Sequence, residues 1–130
     1  MVWQNAALGM AGVIGAGVAV FHGILIQRLM VAPFEAVAMA DRRFSGTTRR
    51  LVAPLLHFST VVWFLGGIAL VFAANVLDRD ARLAISLLVG GTYLFGAVFN
   101  FWATHGRHPG WMLMAAAVAL IAFGTIASGV

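Results

Sequence analysis

Residues 51–77 read LVAPLLHFSTVVWFLGGIALVFAANVL, an apolar run without a formal charge. Crossing about 30 Å of hydrocarbon takes about 20 apolar residues in a helix, and this run exceeds that length. Backbone donors and acceptors inside lipid have to be satisfied within the segment. The run therefore predicts a helix and not a barrel strand, whose mark would be short alternating segments.

Three further apolar runs flank it, over residues 5–30, 81–104 and 110–130, charged only at Arg28 and Arg82 near their ends. The 130-residue chain is 62% hydrophobic and 9% charged, against about 25% charged residues in a soluble domain. The fold expected is an all-α membrane protein. A single domain over residues 1–130 forms a four-transmembrane-helix antiparallel bundle. The apolar run from Ala6 to Met30 is too long for the core of a signal peptide and lacks a basic flank, so it counts as a span.

There is no cysteine, which excludes disulfides, thiolate metal sites and thiol redox chemistry. The basic balance comes from eight arginines and no lysine. In a soluble chain that excess would point to nucleic acid; here its placement in the loops explains it, and no nucleic-acid partner is expected. Arg28, Arg42, Arg43, Arg49 and Arg50 lie in or beside the first loop and Arg107 in the third, against Arg79 and Arg82 in the second. The positive-inside rule then puts the first and third loops in the cytoplasm. The expected location is a bacterial cytoplasmic (inner) membrane, with both termini on the non-cytoplasmic side.

The first loop opens with Pro33, carries Glu35 early and Asp41, Arg42 and Arg43 late. Proline at the first helical position, followed by acid before base, suits a short interfacial helix, with a plain loop as the alternative. Gly46 is expected to end it, and Thr47 or Thr48 to cap the second span. Gly12, Gly15, Ala16, Ala19, Gly66, Gly67, Gly90, Gly91 and Gly96 have the small-residue character of close helix contacts. They are read as packing within the bundle before a dimer seam.

Ionisable residues are costly in hydrocarbon, and His22 and His57 stand at similar depth in consecutive spans. Neighbours at helical spacing (Gly15, Ala19, Ile26 and Leu29 for His22; Pro54, Thr60, Val61 and Phe64 for His57) turn both toward the interior. Tyr93, Asn100 and Thr104 form one stripe of the third span, and His105 and His108 follow it. All four histidines fall in the cytoplasmic half. The segment Gly106-Arg107-His108-Pro109-Gly110-Trp111 predicts a sharp turn with Trp111 as an interfacial anchor.

The pattern His22-x4-Gln27-Arg28-x4-Pro33, then Arg50 to His57-x2-Thr60-x2-Trp63, then Gly106-Arg107-His108-Pro109-Gly110-Trp111 resembles a group of small uncharacterised four-span bacterial membrane proteins. The resemblance covers most of the chain except the second loop. In that group an acidic residue often stands where this chain has Gln27. The group carries no established activity. It supports only the grouping of His22, Arg28, His57, Arg107 and His108. The stretch His57-x5-Trp63-x2-Gly66-Gly67 is also similar to one in copper-resistance membrane domains.

Three functional readings follow. His22 and His57, with His108 or His105, could ligate a transition metal or a b-type haem, while Arg28, Arg49, Arg50 and Arg107 meet its anionic groups. Alternatively, the histidines and Asn100 line a small oligomeric proton or ion channel or transporter. In the third reading they only tie helices together in an accessory or scaffold subunit of a larger membrane complex. The lipid bilayer is a partner in all three. No nucleophile with a base, paired intramembrane carboxylates or phosphate loop supports an enzyme, and Ser59 does not share a helix face with His57.

Overall fold

The computed structural model describes residues 2–41 and 43–126. Arg42, counted above among the first-loop arginines, and residues 127–130 of the expected fourth span lie outside the described residues. The chain is all-helical. Helix α1 spans Val2–Ile26, a π-helical segment Gln27–Val31, α2 Ala32–Ala40, α3 Gly46–Val76, α4 Arg79–Thr104 and α5 Gly110–Ile126. Three stretches, Val2–Ala40, Gly46–Val76 and Arg79–Thr104, are long and apolar enough to cross a membrane. Helix α5 is shorter, 17 residues, or about 26 Å, and carries no charged residue.

The first connection differs from expectation. Proline lacks an N–H and its ring presses on the carbonyl four residues back, so a proline within a helix needs relief. Pro33 finds it in the preceding π turn, where the Ala32 N–H donates to the Gln27 carbonyl five residues back. The chain thus runs from α1 into α2 without stopping, and the short helix expected as a separate interfacial element continues the first one. The true loop shrinks to the residues between Ala40 and Gly46. Gly46 does not terminate α2; it is the first residue of α3. The cap is neither Thr47 nor Thr48 but Ser45, whose Oγ accepts from the Thr48 N–H at 3.1 Å. Ser45→Ala is expected to cost about 1 kcal/mol, read as a lower unfolding midpoint in detergent.

The second connection is tied at both ends. The Asp78 side chain caps α4 by accepting from the Ala81 N–H at 2.9 Å. Arg82 reaches back to donate to Asn5 Oδ1 at 2.7 Å and to the Leu77 carbonyl at 3.2 Å. This guanidinium holds the start of α1 against the α3–α4 turn.

Helix α1 packs against α3 and α5, and α4 packs against α5 and α3. Glycines set the closest approach. A Cβ on Gly12 would stand 2.5 Å from the Gly67 carbonyl oxygen, and one on Gly67 would stand 2.5 Å from that of Gly12. From this crossing towards the π turn the partners run in opposite numerical order: Gly12 with Leu70, Gly23 with Thr60, Gln27 with His57. Leu8, Leu70, Tyr93 and Met114 are fully enclosed at the centre.

The outside is as apolar as the inside. Phe58, Leu65, Phe72, Leu87, Leu88, Phe95 and Trp102 all point outward. The accessible surface is 8386 Å², whereas a water-soluble globule of this mass exposes about 6,600 Å². The chain thus exposes more surface than such a globule, and much of that surface is apolar.

Candidate functional site

The four histidines lie towards one end of the helices, but they do not converge. His22 Nε2 is 3.2 Å from Ser59 Oγ, and its ring lies against Trp63 with centroids 4.7 Å apart. His57 Nε2 is 3.0 Å from Gln27 Oε1, a geometry in which the imidazole N–H donates to the amide oxygen. His22 and His57 therefore stand at similar levels, as their sequence positions imply, yet each is bonded to a different partner across the α1–α3 seam. They do not line a common cavity. Ser59, set aside in the sequence because it shares no face with His57, is the partner of His22.

His22 instead shares a cavity with His108. The space is about 270 Å³, and Val13, Phe21, Trp63, Asn100, Pro109 and Leu113 complete much of its wall. The walls are almost wholly hydrocarbon, with three polar groups among them. His108 Nδ1 accepts from the Gly110 N–H at 3.0 Å, which makes the ring the neutral tautomer with its proton on Nε2. That Nε2–H is the donor His108 has left to offer. Asn100 gives its amide Nδ2 to the Gly96 carbonyl at 2.9 Å and keeps Oδ1 as an acceptor. His22 is free to use Nδ1, since Nε2 is engaged with Ser59.

The turn that places His108 is built by its neighbours. Helix α4 ends on His105 in the left-handed region at φ 49°, followed by Gly106 at φ 73°. The Gly106 N–H then reaches the Phe101 carbonyl at 2.9 Å, the closure that satisfies a helix C-terminus. Trp111 Nε1 donates to the Gly106 carbonyl at 3.1 Å, and its ring stacks edge-on against Phe101. Trp111 is thus a staple of the turn.

The remaining candidates are dispersed. His105 is exposed on the turn. His105→Gly, which removes a side chain from a left-handed position, is expected to raise stability by about 1 kcal/mol; a lowered unfolding midpoint would show that the imidazole contributes something the turn does not require. Arg107 is exposed and lines no part of the cavity. Arg28 shares a shallower recess with His57, Gln27 and Thr60. Arg49 and Arg50 line a pocket beside α2. Among the described residues, no three His, Cys, Asp or Glu side chains are grouped so as to hold a metal ion.

Tyr93 supports the cavity from behind. It is fully buried and donates through its hydroxyl to the Trp63 carbonyl at 3.1 Å, and it occupies the space that a side chain on Gly15 would take. Trp63 in turn leans on Gly96, where a Cβ would come within 2.5 Å of the indole. The sequence marked Gly15 and Gly96 as close-contact residues and set Tyr93 on one stripe with Asn100 and Thr104, but gave no sign that Tyr93, Gly15 and Gly96 meet behind Trp63. Comparison of the chain with family models, with curated proteins and with solved structures finds no match.

Proposed function

We propose that this chain is a four-pass integral protein of a bacterial cytoplasmic membrane, an antiparallel bundle with both termini outside. In this reading the cavity between His22 and His108 binds a small, largely apolar molecule with one polar end. The observation that carries the reading is the cavity's composition: hydrocarbon walls with a single imidazole donor, an amide acceptor and a second imidazole. Pockets that orient apolar ligands are built this way, with a few polar groups deciding the pose. The outward apolar surface and the clustering of arginines around the first and third connections support the membrane placement.

The geometry serves a haem or a metal ion less well. Ligation by His108 through Nε2 would require the proton to move to Nδ1, where it would face the Gly110 N–H. His57, the other expected ligand, is turned to Gln27. A cavity of about 270 Å³ also lies below the range of about 300–1,000 Å³ that drug-sized ligands occupy, and a porphyrin is larger than most of those.

The test compares 2-naphthol with naphthalene as probes of the same shape, followed by thermal shift of the purified protein in detergent. The hydroxyl can accept from His108 and donate to Asn100. A pair of well-made hydrogen bonds is worth about 1–2 kcal/mol, or roughly five- to thirtyfold in affinity. In His108→Phe, where only the bond to Asn100 remains, the preference for 2-naphthol should fall to about half of its free-energy value. Comparing the ratio of the two probes between proteins cancels their different partition into micelles. Equal ratios in the native protein and the variant would discard the cavity as a polar-end binding site.

A second reading is favoured by the two polar pairs across the seam between the first helix and α3, which put His22, Ser59, Gln27 and His57 at one end of the helices. Such groups can pass protons. Proton flux into liposomes that falls at least tenfold in both His22→Ala and His57→Ala would establish it, and flux no greater than in empty liposomes would end it.

A further inference from the structure

The pocket beside α2 combines features that neither the cavity nor the seam uses. It is an open groove of about 530 Å³, with Phe34, Ala38 and Met39 on its apolar side and Glu35, Arg49 and Arg50 as its charged groups. Arg49 is held in place. One end of its guanidinium donates to the Asp41 carbonyl at 3.0 Å, while its Nε is shielded from solvent and meets no protein acceptor. Arg49 and Arg50 both line the pocket, and their guanidinium groups are the cationic donors it offers to an anionic ligand. Guanidinium groups match phosphate oxygens in charge and in planar, two-pronged geometry.

Glu35 narrows the choice of ligand. A carboxylate in the same pocket repels a simple anion, but it suits a molecule that carries a cation next to its phosphate. The position narrows it further. Glu35 follows the apolar stretch of α1 and Arg49 and Arg50 immediately precede that of α3, so the pocket sits at the edge of the apolar zone, where headgroups lie.

We propose that this pocket binds the headgroup of an ethanolamine phospholipid, with the phosphate on Arg49 and Arg50, the primary ammonium on Glu35 and the first acyl carbons along Phe34 and Met39. The assignment rests on the membrane reading above. Ammonium is distinguished from the trimethylammonium of choline because it donates hydrogen bonds to the carboxylate, which the methylated group cannot.

The experiment titrates the detergent-purified full chain with dihexanoyl phosphatidylethanolamine, dihexanoyl phosphatidylcholine and O-phosphoethanolamine, reading bound lipid by native mass spectrometry. The ethanolamine lipid is expected to bind at least fivefold more tightly than the choline lipid. It should also bind at least tenfold more tightly than O-phosphoethanolamine, which lacks the acyl chains. Glu35→Gln should abolish the first difference, and Arg49→Gln combined with Arg50→Gln should weaken both lipids at least tenfold. Equal binding of the two lipids to the native chain overturns the proposal without any variant having to fold. Equal binding of O-phosphoethanolamine and the ethanolamine lipid overturns the lipid assignment and leaves a soluble phosphate ester as ligand. Carbonate extraction of cell membranes separates the two layers of inference. Release of the chain by carbonate refutes the membrane reading, whereas retention together with indifference to ethanolamine refutes only this site.

Discussion

Gly12→Leu is expected to leave little folded protein in a detergent extract, while Gly9→Leu, three residues earlier on the same helix, is expected to behave as the native chain. The difference lies in what each new Cβ meets. At Gly9 there is nothing within 4 Å. At Gly12 the Cβ meets the Gly67 carbonyl oxygen, and Gly67 reciprocally meets the Gly12 carbonyl and the Ala16 amide at 2.9 Å. Backbone atoms cannot rotate aside as side chains do. Overpacking typically costs about 1–3 kcal/mol where neighbours can adjust; here the helices have to separate along their whole contact. That separation removes the enclosure of Leu8 and Leu70 and pulls apart the His22–Ser59 and His57–Gln27 pairs. Against a total stability of about 5–15 kcal/mol, a loss of 3 kcal/mol or more brings the protein close to its threshold. Size-exclusion profile and unfolding midpoint measure it. A Gly12→Leu midpoint within a few degrees of Gly9→Leu would show that α1 and α3 do not meet here.

The second large effect concerns Tyr93. Tyr93→Ala is expected to cost about 3–5 kcal/mol, the usual range for emptying a buried aromatic site. Tyr93→Phe, which removes only the hydroxyl bond to the Trp63 carbonyl, should cost about 0.5–1.5 kcal/mol. The two also differ in their reach. Tyr93→Phe leaves the indole of Trp63 pressed between Gly96 and His22, so binding of 2-naphthol should persist. Tyr93→Ala leaves the α3 backbone at Trp63 without its support, and binding should fall with stability. If the phenylalanine variant lost binding while keeping its midpoint, the hydroxyl would have a role beyond holding the helix.

The apolar runs, the interior stripe of α4 at Tyr93 and Asn100, and the tight turn before Trp111 were legible because each depends on local composition and spacing. The angular positions of the histidines were legible only in part, for a physical reason. Helical spacing carries a side chain's direction forward by about 100° per residue, and the π turn at Gln27–Val31 adds a residue to that count. Projection from His22 places Gly15 and Ala19 correctly in the interior. It fails at Leu29, which is 69% exposed. On α3, the same arithmetic puts Ser59 about 200° from His57, which rightly excludes a pair between them but does not say which residues α1 presents to each side. The role of Gly46 was misread for a similar reason: a glycine beside a loop suits either end of a helix, and only the Ser45 bond to Thr48 decides which.

The two polar pairs between α1 and α3 have a mechanical consequence. In the membrane reading proposed above, the outward and inward faces of a helix differ little in solvation, so apolar packing alone resists rolling about the helix axis only weakly. His57 and Ser59 leave α3 in nearly opposite directions; His57 is clasped by Gln27, the first residue of the π turn that continues α1, and Ser59 by His22 of α1. One clasp acts as a pivot, and two on opposite flanks act as a brake. The roll of α1 is thereby fixed in phase, and with it the direction in which the His22 imidazole faces.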